Sequence, residues 1–243
     1  MKRAEESAGR LEAGQVRAMF DRIAGVYDLL NTVMTAGLHH RWRERAADLA
    51  CVSPGDRVLD VATGTGDLAI ELARRVSPGG DVVGSDFSEE MLARARRKSR
   101  FGQPLRFEWG DALDLLYPDG SFDAATVGFG ARNFADLARG LSEMRRVVRP
   151  GGRVVVLEFT TPTRAPLSIF YAVWFDRIVP LLGRIVGDPD AYAYLPNSVK
   201  RFPGPRDLAC EMERAGLCDV RYLLTAGGIL AIHVATVPGD GTQ

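Results

Sequence analysis

From residue 57 onward, short apolar runs alternate with stretches whose apolar positions recur three and four apart. RVLDVAT, from Arg57, reads as a strand, and GDLAIELARRV, from Gly66, as an amphipathic helix. DVVGSDF is the next strand, and SEEMLARARRK the next helix, with Ser88 as its N-cap. LRFEWGDA, FDAATVGFG and GRVVVLEFT supply three more strands. ADLARGLSEMRRVV is the helix before the last of these, ended by Pro150-Gly151-Gly152. A helix near 205–216 follows, then a hairpin of CDVRYLLT and GILAIHVATV around Gly227-Gly228. Repeated strand–helix units predict an α/β fold with a mostly parallel, doubly wound sheet and an antiparallel strand from the terminal hairpin. Two segments stand outside the alternation. Residues 15–50 read as helices broken near Thr35-Ala36-Gly37, and 162–200 as an apolar, aromatic insert punctuated by Pro162, Pro166, Pro180 and Pro189. Both are expected to cap the carboxyl edge of the strands, where ligands bind in such sheets.

With 46% hydrophobic residues, a chain of 243 residues can bury one sizeable core, so residues 1–243 are expected to form a single domain. Formal net charge is zero, which removes any long-range pull toward nucleic acid. Cys51, Cys210 and Cys218 form no CxxC pair, so neither a disulfide framework nor a zinc site is expected, and no metal. A reducing, cytoplasmic compartment is the expectation. The charged start, MKRAEESAGRLEAGQ, lacks the apolar core of a signal peptide. The most apolar stretch, Pro166 to Gly187, is interrupted by Asp176, Arg177 and Arg184, so no membrane span is expected. The cluster from Arg94 to Arg100 reads as a solvated helix end.

The sharpest local feature is DVATGTGDLA, from Asp60 to Ala69, where a strand turns into a helix. Gly64 and Gly66 there would let a ligand approach the backbone closely. Asp86 ends the second strand and could accept hydrogen bonds from both ribose hydroxyls of a nucleoside, with Phe87 beside it. The same glycines satisfy the dinucleotide fingerprint, so this turn alone leaves the cofactor open. Two observations favour S-adenosylmethionine over NAD. Asp111 and Ala112 close the third strand, where a carboxylate and a backbone N–H could read an adenine edge. No Tyr is followed four residues later by Lys, so a common dehydrogenase dyad is missing.

The run YDLLNTVMTAGLHHRWR, from Tyr27 to Arg43, is dense in polar and aromatic groups. With GFGARNF, from Gly128 to Phe134, it resembles the two signatures of the quinone-biosynthesis C-methyltransferases, which make menaquinone and ubiquinone. EMRRVVRPGG from Glu143, LEF from Leu157, YAYLPNS from Tyr192 and AGGILAIH from Ala226 extend the likeness to roughly residues 16 to 236. Leu30, Thr35, His40 and Gly128 depart from the residues usual in that family; at Gly128 some members have a Ser that touches the cofactor. The resemblance implies a class I methyltransferase with a Rossmann-like sheet, using S-adenosylmethionine to methylate a prenylated quinol, demethylmenaquinol first and the ubiquinone-pathway benzoquinol as a further substrate. It implies cofactor contacts at Thr65, Asp86, Asp111 and Ala112, and substrate deprotonation by Arg132 and Asn133 with a water. Tyr27, Asp28 and Asn31 are expected on the substrate side and His39 as a proton acceptor. A homodimer and peripheral contact with the inner face of a membrane are further expectations.

Arg132 is a poor literal base, because a guanidinium stays protonated; its expected role is to stabilise a phenolate and orient a water with Asn133. LSIFYAVWFDRIVPLL, from Leu167, offers apolar surface for a prenyl tail or for the core. Two other readings stand beside the first: methylation of a small aromatic or polyketide metabolite, and a non-catalytic S-adenosylmethionine-binding subunit of a quinone-biosynthesis complex.

Overall fold

The computed structural model describes residues 13–25, 32, 35, 37–100, 102–162, 165, 167–173 and 189–239. Two helices, α1 (Ala13–Ile23) and α2 (Leu38–Leu49), precede the first strand. Then come β1 (Arg57–Val61), α3 (Asp67–Val76), β2 (Asp81–Asp86), α4 (Glu89–Lys98), β3 (Leu105–Trp109) and β4 (Phe122–Gly128). A 3₁₀ turn at Ala131–Asn133 leads to α5 (Leu137–Val147) and β5 (Val148–Phe159). The 162–200 segment contributes α6 (Leu167–Val173) and α7 (Pro189–Arg201), and α8 (Pro205–Arg214), β6 (Cys218–Thr225) and β7 (Leu230–Thr236) follow.

The seven strands lie in the order β3-β2-β1-β4-β5-β7-β6. All neighbours from β3 to β5 are parallel, and β7 runs antiparallel to both β5 and β6, as the hairpin pattern predicted. Along each central strand successive residues are apolar yet point to opposite faces, because helices cover both sides. Val155 and Leu157 of β5 join Val58, Leu72 and Leu92 on one face. Val154 and Val156 join Leu59, Leu141, Met144 and Met212 on the other. Full burial of each such side chain stabilises by roughly 1.5–3 kcal/mol.

Two helix starts follow their capping residues. The Ser88 hydroxyl accepts from the Met91 N–H at 3.2 Å, and the Asp136 carboxylate accepts from the Arg139 N–H at 3.0 Å. β5 starts earlier than GRVVVLEFT suggests, because Val148 still pairs with Phe122 before the register shifts. His233, within β7, is buried, with Nε2 2.8 Å from the Pro205 carbonyl, a structural role. Among the described residues no helix is long and apolar enough to cross a membrane, and no group of His, Cys, Asp or Glu could hold a metal ion.

Candidate functional site

The strand order reverses direction between β1 and β4, and the crevice at such a point, beyond the strands' carboxyl ends, is where ligands settle. A cleft of about 1030 Å³, part of it open to solvent, lies there. Its walls come from the ends of β1, β2, β3 and β4, with Phe20 and Arg43 from the N-terminal helices. Ala62, at φ 51°, and Phe129, at φ 62°, are held in left-handed backbone on this wall. Such strain persists only where surrounding structure enforces it, and it concentrates at functional sites.

The glycine turn closes through the Gly66 N–H donating to the Thr63 carbonyl at 3.0 Å. Gly64 faces the cleft at φ 57° with nothing within 4 Å of where a Cβ would stand. Gly66 does not line the cleft. It is a glycine because φ is 83° and a Cβ would come 2.7 Å from the Phe107 ring. Thr65 lines the cleft, and its hydroxyl accepts from Lys98 Nζ at 3.1 Å.

Three carboxylates reach this cleft. Asp86 is buried; one oxygen accepts from the Gly64 N–H at 2.8 Å and the other from the Ser88 N–H at 2.9 Å. Burial pushes its pKa from 3.8 to about 6, opposed by the backbone N–H groups of Ser88, Gly64 and Phe87. Asp60 accepts from the Thr63 and Thr126 hydroxyls, each at 2.6 Å, and burial lifts it too to about 6. Asp111 is exposed at the end of β3, with one oxygen accepting from the Leu113 N–H at 2.9 Å. Phe87, Ala112 and Gly128 line the cleft beside them.

On the opposite side stands Asn133, whose Oδ1 accepts from the Tyr194 hydroxyl of α7 at 3.0 Å. Arg132, next to it, is not on the cleft wall. Its guanidinium is paired with Glu158 at 2.6 Å, donates to the Phe129 carbonyl at 2.6 Å, and lies over the Phe159 ring. Glu158 further accepts from the Arg132 and Phe159 N–H groups, so the pair ties the 3₁₀ turn to β5. His39 is buried on α2, its Nδ1 2.7 Å from the Thr35 hydroxyl, and it too is absent from the cleft wall. Tyr27, Asp28 and Asn31 lie outside the described residues.

The structure therefore assembles Gly64, Thr65, Asp86, Phe87, Asp111, Ala112, Gly128 and Asn133 around one cavity, and leaves Gly66, Arg132 and His39 behind its walls. Asp60, Arg43, Glu158 and Tyr194 are positions the sequence reading assigned no role. Asp60 is the next-to-last residue of β1, just before the glycine turn, the one signal that could have marked it.

The likeness to solved structures concerns the fold. A putative methyltransferase bound to the Trm112 activator of Haloferax volcanii superposes with TM-score 0.66 at 19% identity, over 90% of this chain and 98% of that one. The [4+2]-cyclase SpnF gives TM-score 0.66 at 20% identity, over 92% and 95%. Sequence likeness is far stronger. The demethylmenaquinone methyltransferase of Thermus thermophilus is 50% identical over 222 residues, covering 90% of this chain and all of that protein. A ubiquinone/menaquinone biosynthesis C-methyltransferase of a Geobacter species is 41% identical over 91% of this chain and 96% of its own length. The pattern of the ubiE/COQ5 methyltransferase family matches residues 8–237, and S-adenosylmethionine is the methyl donor of such enzymes. The chain belongs to the ubiE/COQ5 methyltransferase family.

Proposed function

We propose that this enzyme methylates a ring carbon of a prenylated quinol, demethylmenaquinol first, in the cleft between β1 and β4. One observation carries the reading: Asp60, Asp86, Asp111 and the Asn133 amide share a single cavity at the carboxyl edge of the sheet. The residues fit the cofactor. Asp86 accepts from the backbone N–H groups of Gly64, Ser88 and Phe87, and a carboxylate with about four acceptor sites keeps capacity for a ribose hydroxyl. Asp111 and the Ala112 backbone would meet the adenine edge, flanked by Phe87 and Leu113. Asp60 would face the ammonium at the amino-acid end.

S-adenosylmethionine, when bound, supplies a methyl carbon already activated by positive sulfur. What remains for the protein is alignment and a nucleophilic ring. Holding two reactants in line can lower a barrier by roughly 7–11 kcal/mol at best. A quinol hydroxyl titrates near ~10, as Tyr does; losing its proton puts negative charge on the ortho carbon. With the cofactor held by Asp60, Asp86 and Asp111, that carbon would take the methyl group as the methyl–sulfur bond broke, and loss of the ring proton would restore aromaticity. With Oδ1 engaged by Tyr194, Asn133 presents Nδ2–H to the developing oxyanion or to the water that takes its proton. Arg132 acts as a positioning residue, its charge balanced by Glu158 while it holds the turn that carries Asn133.

The exposed side chains of Ile169 and Val173 on α6 suit a prenyl tail arriving from a bilayer. Co-sedimentation with liposomes tests that contact, and sedimentation equilibrium tests the expected homodimer. Complementation of bacterial strains lacking the menaquinone or the ubiquinone C-methylation step tests the reaction, with quinones read by mass spectrometry. Restored menaquinone supports the proposal. Failure in both strains, with activity only on short aromatic acceptors, rejects it in favour of a small-molecule methyltransferase. A role as a non-catalytic subunit would leave the pathway untouched by Asn133→Ala.

A further inference from the structure

Arg43 belongs to the run expected to face the substrate, yet it is the one basic side chain among the described residues lining the cleft. It sits on the inward face of α2 with His39, Ala46 and Ala47. Its side chain is 9% exposed, and Nη1, although 2.9 Å from Asp67 Oδ2, is buried without a hydrogen-bond partner. The N–H groups of that nitrogen therefore point away from Asp67. Asp67 is in any case shared, because Lys98 Nζ bonds to its other oxygen and also to the Thr65 hydroxyl. Two cations share that one carboxylate, and the second acidic group that Arg43 feels is Asp60, on the cleft wall. The guanidinium is also fixed in place, 5.7 Å over the Phe129 ring. The acidic groups near it are Asp67 behind and Asp60 within the cleft, and Asp67 also feels His40.

We propose that Arg43 binds the carboxylate of the amino-acid end of S-adenosylmethionine, beside Asp60 for the ammonium, so that α2 reads the zwitterion next to the glycine turn. The inference rests on the methyltransferase reading and deepens it. A planar, permanently charged fork suits a carboxylate better than a ring oxyanion, because it can offer two parallel N–H donors. Seating the amino-acid end this way would anchor the sulfonium between two fixed points, the ribose on Asp86 and the carboxylate on Arg43.

The test is calorimetric titration of the whole protein with S-adenosylmethionine and with its decarboxylated analogue, which keeps the amine but lacks the carboxylate. Wild type should bind the full cofactor about 10- to 100-fold more tightly than the analogue, the span of a charge-assisted hydrogen bond. Arg43→Gln should lose about that factor for the cofactor while binding the analogue within about 3-fold of wild type. Arg43→Lys, which keeps the charge but not the fork, should fall between; it also serves if the Gln variant fails to fold, as judged by circular dichroism. Equal affinity of wild type for both ligands, or equal losses for both in either variant, overturns the proposal. Absence of binding by either ligand to wild type would instead strike the methyltransferase reading itself.

Discussion

Replacing Asp60 by Asn separates what this carboxyl does to folding from what it does for the cofactor. Asp60 is 1% exposed, and burial raises its pKa from 3.8 to about 6 against the pull of Thr126, Thr63 and Arg43. One pKa unit corresponds to about 1.36 kcal/mol, so ionised Asp60 costs the folded state about 3 kcal/mol at pH 8. The pKa lies above its unfolded value, so the favourable contribution is complete below about pH 4 and fades as pH rises through about 6. Asn is nearly isosteric, and the two Thr hydroxyls can satisfy it, one donating to Oδ1 and one accepting from Nδ2. Asp60→Asn should therefore be more stable than wild type by about 2–3 kcal/mol at pH 8, an increase in Tm of about 4–12 °C. Asp86, raised to about 6 by the same desolvation, keeps its own slope, so the variant should lose less stability than wild type as pH rises from about 4 to 8. Urea unfolding of the cofactor-free protein between about pH 4 and 8, followed by circular dichroism, measures both quantities. S-adenosylmethionine should bind the variant about 10-fold or more weakly, because the ammonium loses a charged partner. A variant no more stable than wild type at pH 8, or one with an unchanged pH slope, would refute the reasoning.

Glu158→Gln strands the Arg132 guanidinium, of which only 5% is exposed, without its counter-charge. Breaking a buried pair costs about 3–5 kcal/mol, so Tm should fall by about 6–20 °C. Replacing both partners by Met and Leu should recover most of that stability without recovering turnover; a Glu158→Gln protein melting within about 2 °C of wild type would contradict the role given to the pair. The two glycines of the turn should separate in opposite ways. Gly66→Ala meets the Phe107 ring at 2.7 Å and should cost about 2–4 kcal/mol of stability, strain and overlap together. Gly64→Ala has open space within 4 Å and should cost only about 1–2 kcal/mol of folding while weakening cofactor binding. Equal thermal shifts in the two variants would show that the packing argument is wrong.

The parallel sheet, its helices and the terminal hairpin were legible because each strand is a short apolar run and each helix repeats at three and four. Asp86 and Asp111 were legible for a related reason: both end predicted strands, and strand ends share one edge. Other parts of the site depend on distance in space. Glu158 meets Arg132 across 26 residues because β4 and β5 align Gly128 with Leu157. Lys98 reaches Asp67 across 31 residues because α3 and α4 pack on the same face of the sheet. Neither partner is marked by local pattern, so Arg132 looked like a residue facing the acceptor. Arg43, the last residue of the run from Tyr27, carries no local mark of its place either; the pitch of α2 turns it inward to the cleft.

The central claim, transfer of an intact methyl group to a quinol ring carbon in this cleft, is tested most directly with S-adenosylmethionine carrying a fully deuterated methyl group. Purified protein, reduced demethylmenaquinol and this donor should give menaquinol with all the deuterium on one ring carbon. Asp86→Ala, which removes the carboxylate proposed to hold the ribose, should give little. Label on a quinol oxygen, or no label in the quinone from protein that binds the donor, would contradict the account.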